Sequence, residues 1–265
     1  MKIEGYVAGV GILGPGLADW EDARAVLSGR RAYQPAPTLL PVPSVLPATE
    51  RRRTGRVVKL AVGVAAEAAT HAGVEARELC SVFSSSGGDG HNCHEICLAL
   101  ASPAREISPT RFSNSVHNAA AGYWSIATAA TRPSTVLCAF DASFCAGLLE
   151  ALMQATVDGE RVLLVTYDTE YPEPLHAKRP VPDAFGAALV LTPQRESRSL
   201  ARLEARLGEE RPDALADPGL EALRRSIPAA RGLPLLEALA RGARARCVLE
   251  YLDAWSVAVD VEPCT

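Results

Sequence analysis

Residues 134–151 read STVLCAFDASFCAGLLEA, and the fold turns on how this stretch is read. Val136 and Leu137 are apolar, one of them β-branched, and predict a strand. Small residues follow, and then Leu148, Leu149 and Leu152 recur at helical spacing. A strand that runs straight into a helix leaves its turn residue above the sheet, at the positive end of the helix dipole. That is a common mount for a nucleophile. Cys138 and Cys145 both lie close to the turn, so the residue that occupies it has to be identified from the rest of the chain.

Upstream, YVAGVGIL alternates and ends at Gly14-Pro15-Gly16, which predicts a strand and a turn. LADWEDARAVLSG then carries Leu17, Trp20, Ala23, Val26 and Leu27 at helical spacing, with Gly29 as a stop. Prolines crowd residues 36–47, which predicts an extended surface loop. TGRVVKLAVGVAAEAATHAG is a strong helix, with Thr54 as the expected cap, Val57, Leu60, Ala61, Val64 and Ala68 facing inward, and Gly73 ending it. CSVFSSS predicts a strand, and a helix runs from about His91 to Ala101. RVLLVTYD at 161–168 predicts a strand buried on both faces. Downstream, AFGAALVLTP and SLARLEARL predict strands, GLEALRRSI and LPLLEALARG short helices, and RCVLEYLDAWSVAVDVEP two strands around a turn near Asp253. Composition marks 208–232 as the least ordered stretch. Alternating strands and helices predict an α/β layer structure, partly parallel.

The chain has 265 residues, 48% hydrophobic and 22% charged, which suits one large domain or one and a half ordinary ones. A net charge of −4 without a long basic tract argues against nucleic acid as a partner. The clusters RRRTGR (51–56) and RGARAR (241–246) read as solvated helix ends or loops, or as a docking patch for an acidic carrier protein. No run of about 18 apolar residues occurs, so no membrane span is expected. The N-terminus MKIEGYVAGVGILGPG lacks the apolar core of a signal peptide, and a cytoplasmic address follows. The seven cysteines have no framework spacing and are expected to be reduced.

Three motifs outside the elbow could carry chemistry. HNCHEIC at 91–97 offers His91, Cys93, His94 and Cys97, but no second ligand cluster follows and the spacing matches no standard zinc pattern. No metal is expected there, only a helix with some buried cysteine. SSSGGDG at 84–90 lacks the lysine of a phosphate loop and the spacing of a dinucleotide fingerprint, so it reads as a tight turn and no cofactor is expected. NSVHNAAAGYWSIA at 114–127 combines small residues with Asn118 and Gly122, which suits a helix pressed against the sheet or against the same element of a partner. His117, with no acid or nucleophile beside it, reads as structural.

The order of the segments resembles a known family. The strand-turn-helix GYVAGVGILGPGLADWEDARAVLSGRRAY, the basic-then-amphipathic RRTGRVVKLAVGVAAEAATHAG, the helix and strand NAAAGYWSIATAATRPSTVLCAF, and GLLEALMQATVDGERVLLVTYDTE are together similar to the β-ketoacyl synthases of the thiolase superfamily. The resemblance covers about residues 1–170. It implies a thiolase-like layered α/β fold, helices around a mixed sheet, with the first half intact over 1–192. Residues 193–265 are then a shortened remnant of the second half, packed in the same domain.

In that family the elbow reads Thr-Ala-Cys-Ala-Ser-Gly, and the cysteine attacks an acyl thioester. Aligning GLLEA with the family's following helix sets AFDASF on that hexapeptide: Ala142 and Ser143 match, and Asp141 falls on the nucleophile. Cys138 lies three residues upstream and Cys145 a turn into the helix, so neither reaches the elbow without a shift of register. A carboxylate at a helix start is expected to accept amide N–H bonds as a cap, which makes it a poor nucleophile. Attack through it would also give a mixed anhydride, more reactive than the thioester. The family's two catalytic histidines follow the elbow, whereas the only histidine after Asp141 is His176, in the unlike loop EPLHAKRP.

The resemblance thus implies a subunit without its own condensing chemistry, similar to chain-length factors and to the small ketosynthase-like subunits of aryl polyene clusters. Such a subunit pairs with an active ketosynthase in polyene, polyketide or fatty-acid-like biosynthesis and meets the acyl carrier protein through that complex. Asn118, Gly122, Trp124, Val136 and Cys138 are the expected dimer interface, and Phe112, Phe140 and Phe144 the expected bulk near the tunnel's end. Two other readings stay open: an acyl-thioester hydrolase or transferase using Asp141 with His117, or Cys138 in a shifted register, and a self-associating structural protein.

Overall fold

The computed structural model describes residues 3–264. In chain order the described residues form β1 (Ile3–Leu13), α1 (Trp20–Leu27), α2 (Ala48–Arg51), α3 (Arg56–Ala72), β2 (Cys80–Ser84), α4 (Gly90–Ala101), α5 (Pro109–Ser113), α6 (Ala119–Thr128), β3 (Ser134–Leu137), α7 (Ser143–Met153), β4 (Val162–Asp168), β5 (Phe185–Thr192), β6 (Ala201–Gly208), α8 (Pro218–Ser226), α9 (Leu233–Arg241), β7 (Ala245–Glu250) and β8 (Ser256–Pro263). The strands make one mixed sheet in the order β3-β2-β4-β5-β1-β6-β8-β7. Only β3-β2-β4 are parallel, joined by helical crossovers; every other pairing is antiparallel.

Apolar layers cover both faces around β1, β2, β4 and β5. On one side α3 and α6 pack over Ala8, Phe83, Leu163, Val165 and Val190. On the other, α1, α7, α8 and α9 cover Val10, Ile12, Leu164 and Leu189, and also the inward residues of β6 and β8, such as Leu203 and Val259. β4 is buried along its whole length, as its continuous apolar run predicts. β6 alternates instead, turning Arg202, Glu204 and Arg206 to the face α3 does not reach, where Arg206 pairs with Asp260 at 2.9 Å. The first layer therefore stops near β1, while the sheet runs on.

β1 shows why. It pairs with β6 only through Val7, so the N–H groups of Val10 and Ile12 need other acceptors. α3 supplies them: His71 Nδ1 accepts from Val10 N (3.0 Å) and Glu67 Oε2 from Ile12 N (2.9 Å), while Glu67 Oε1 accepts from Trp20 N (2.5 Å). Burial pushes the Glu67 carboxyl up to about 7. Two glycines permit this approach, since a Cβ at Gly9 would lie 2.2 Å from Ala68 O and one at Gly11 2.2 Å from Val64 O. Gly9→Ala is therefore expected to cost about 3 kcal/mol or more, read as a lower urea midpoint. A variant within about 0.5 kcal/mol of wild type would show that α3 can back away.

Three expectations change. Thr54 does not cap α3; its hydroxyl donates to Arg51 O (2.8 Å), and Gly55 holds the cap position without a side-chain bond. The stretch 208–232, least ordered by composition, contains α8 and a 3-10 turn at Pro228–Gly232, because Asp217 caps α8 and Leu220 and Leu223 reach the core. The cysteines of α4 are not buried: Cys93 and Cys97 are exposed, and only Gly90 and Asn92 of that helix lie inside.

Candidate functional site: an elbow held by two arginines

β3 ends at Leu137, a 3-10 turn spans Phe140–Ala142, and α7 starts at Ser143, so Asp141 does stand in the strand-helix elbow. Phe140 takes a positive φ of 52°, a conformation side-chain-bearing residues adopt rarely and at some cost. Ser143 holds the turn from inside: its Oγ accepts from Ala139 N (3.0 Å) and donates to Phe140 O (2.7 Å). Ser84 at the end of β2 donates to Ser143 O (2.7 Å), which fastens the elbow to the sheet.

Asp141 does not cap α7, contrary to expectation; no side chain does. Its two oxygens point elsewhere, Oδ1 accepting from Arg179 (2.7 Å) and Oδ2 from Arg231 (3.0 Å). The same Arg179 guanidinium lies 3.6 Å from the Phe140 ring centroid, within cation–π range. Arg231 also pairs with Glu250 (2.7 Å), and Glu250 with Arg224 (3.4 Å), which returns to Glu221 (2.7 Å). One chain of alternating charge thus joins the elbow to the 3-10 turn, β7 and α8. Charge-assisted bonds engage both carboxylate oxygens, which holds the charge on the arginines and makes the group a weaker nucleophile. Sequence reasoning found Asp141 but missed Arg179 and Arg231, which lie 38 and 90 residues away.

The cysteines nearby are placed differently. Cys145 is buried, donates to Glu250 O (3.1 Å) and is pushed up by burial, which disfavours its thiolate. Cys138 is exposed just past β3 and donates to Ser86 O (3.2 Å). His117 lines a small cavity with Gly55, Val57, Gly88 and Asn114, and no histidine among the described residues hydrogen-bonds Asp141.

Beneath the elbow, Asp168 at the end of β4 is fully buried. Its Oδ1 accepts from Ser86 N (2.9 Å), Ser86 Oγ (2.7 Å) and Ser85 Oγ (3.3 Å), and its Oδ2 from Ala229 N (2.9 Å). It therefore positions the turn that presents Arg231. Desolvation outweighs these bonds and raises its carboxyl to about 6. The native state then holds the proton more tightly than the unfolded chain. This group's contribution is full below about pH 4 and is lost as pH rises through about 6, a change of about 3 kcal/mol by pH 8. Asp168→Asn is expected to be less stable at every pH, having lost the acceptor for Ala229 N. Its melting temperature should also lack that decline, so the wild-type-minus-variant difference shrinks from pH 4 to pH 8; parallel profiles would refute the assignment.

The expected pocket and interface residues separate on inspection. Phe144 is core, its ring filling the space a side chain at Gly232 would need. Phe112 and Phe140 are 67% and 62% exposed. Trp124 is buried under α6 at 2% exposure, so it supports the surface and is not part of it. Asn118, Gly122 and Cys138 are exposed and Val136 is half-buried, on α6 and beside the edge strand β3. Beside Asn118 and Gly122 lie exposed Val116 and Ile126, and α4, packed against α5, exposes Leu98 and Leu100; sequence reasoning singled out none of the four. The signal was HEICLALA on α4, an apolar helix without a polar face to give to solvent.

Among the described residues no helix is long and apolar enough to cross a membrane. No curated protein sequence matches the chain. Solved structures do. They include a ketosynthase (ApeO) in complex with its chain length factor (ApeC) from Xenorhabdus doucetiae, at 24% identity over 97% of this chain and 99% of that one, TM-score 0.74. The ishigamide ketosynthase/chain length factor matches at 13% identity over 99% and 100% of the two chains, TM-score 0.71. A β-ketoacyl synthase from Burkholderia phymatum matches at 12% identity over all of both chains, TM-score 0.67. These likenesses establish the thiolase-like α/β fold that the sequence resemblance implied. Residues 20–255 match the model of the β-ketoacyl synthase N-terminal domain, and the chain belongs to that family.

Proposed function

We propose that this chain is a non-catalytic ketosynthase-like subunit of the chain-length-factor type, which docks on an active ketosynthase and helps shape its acyl pocket in polyene or polyketide biosynthesis. The observation that carries the reading is the elbow: where the family's nucleophile belongs, a carboxylate is tied to two arginines. The partner surface in this reading is the face formed by the edge of β3 with α4, α5 and α6. An unpaired parallel edge flanked by exposed Leu98, Phe112 and Ile126 is the type of surface that proteins cover. Phe140, held outward by its positive φ and its contact with Arg179, is the bulky group this chain offers to the shared tunnel. Residues 193–265, read as a shortened remnant of the second half, pack in the same domain, where β6, β8 and β7 extend the first sheet. The carrier protein is met through the complex, in the cytoplasm.

The test is co-expression with a ketosynthase encoded beside this chain, followed by size-exclusion chromatography. A one-to-one complex that condenses acyl and malonyl units, while this chain alone does not, is the expected result. Separate elution of the two proteins, or condensation by this chain by itself, would overturn the reading.

A further inference from the structure

Arg231 looks two ways. Besides the elbow, it borders a cavity of about 610 Å³ lined also by Arg211, Arg224, Arg225, Glu221 and Glu250. Four guanidinium groups face two carboxylates there, an excess of two positive charges. The carboxylates are already committed, Glu221 to Arg224 and Glu250 to both Arg224 and Arg231. Arg224 and Arg231 are fixed, with side chains only 10% and 12% exposed. The Nε of Arg231 is buried without a partner. Among the described residues Arg211 and Arg225 form no close ion pair, although Arg225 acts on the Glu221 carboxylate from a distance, and both are exposed. Gathering unpaired cations around a concavity costs repulsion, which an anion in the cavity would offset.

We propose that this cavity binds a phosphate group. Two fixed and two mobile forks suit a ligand with several acidic oxygens spread around one centre, and guanidinium pairs such oxygens two at a time. The excess charge matches a phosphate dianion better than a single carboxylate. Because Arg231 also holds Asp141, occupancy of the cavity is coupled to the elbow through one side chain. The inference rests on the charge and shape of the cavity and stands apart from the proposed subunit role.

Isothermal titration of the full chain with inorganic phosphate, glycerol 3-phosphate and malonate tests it. Saturable binding of a phosphate ligand is expected, weakened about tenfold or more in Arg225→Gln and in Arg211→Gln, since each removes one charge-assisted contact. Both positions are exposed, so thermal melts should match wild type, and Arg77→Gln on another surface should bind normally. Tighter binding of the ester identifies an esterified ligand; equal binding shows that the phosphate group alone is read. No saturation up to about 10 mM, equal affinity in all three variants, or malonate binding as tightly as phosphate would overturn the proposal.

Discussion

Gly122→Arg is expected to abolish co-purification with the ketosynthase partner while leaving the isolated chain at least as stable as wild type. The two effects separate because of where Gly122 sits. It lies inside α6, exposed, and a Cβ there would meet nothing within 4 Å. Filling a mid-helix glycine relieves a propensity cost of up to about 1 kcal/mol, so the melting temperature should hold or rise. At a packed interface the same arginine has no room and carries a charge with no partner. A loss of about 100-fold or more in affinity follows, chiefly through faster dissociation. Full-strength association of the variant would place the partner on another face. A drop in melting temperature would instead mean that α6 itself is damaged, which is why both measurements are needed.

Asp141→Ala is expected to destabilise the chain, and Asp141→Cys to be alkylated without gaining condensing activity. Removing the carboxylate leaves Arg179 with its Phe140 contact and no ion pair among the described residues, whereas Arg231 keeps Glu250. Breaking a fully buried pair costs about 3–5 kcal/mol; Asp141 is 39% exposed and solvent screens part of the loss, so about 1–2 kcal/mol is the expected range in urea unfolding. Stability equal to wild type would show that the arginines gain nothing from this carboxylate. For the cysteine variant, iodoacetamide labelling followed by mass measurement reports the thiol, and an acyl-malonyl condensation assay reports the chemistry. Among the described residues no histidine hydrogen-bonds Asp141, so a thiol there is expected to lack the groups that polarise the malonyl thioester. Condensation by Asp141→Cys alone would mean those groups are supplied from elsewhere in the chain.

Much of the architecture was legible because it is written in local periodicity. The strands β1 and β6, the continuous apolar run of β4, and the stripes of α1 and α3 with Gly73 closing the latter each reflect how a short segment meets a core. Each is found, although β1 is buried on both faces from Val7 onward and does not alternate there. The elbow was legible for the same reason, since strand, small turn and helix adjoin in the chain, and the family resemblance of GLLEA then set Asp141 at its nucleophile position. Its partners could not. Arg179 stands in an irregular loop and Arg231 in a 3-10 turn, neither with a pattern to mark it.

Asp168 and Glu67 went unread as well, because their roles depend on amides presented by distant segments, Ala229 and Trp20. Trp124 and Phe144 show the converse error, since a residue type suited to an interface or a tunnel is equally suited to a core. The sequence by itself determined the order of elements and the family resemblance, both carried by neighbours along the chain. Tertiary structure alone decided which charges hold Asp141, which apolar residues stay outside, and where four arginines converge. Those depend on contacts between residues far apart in sequence, which local spacing does not encode.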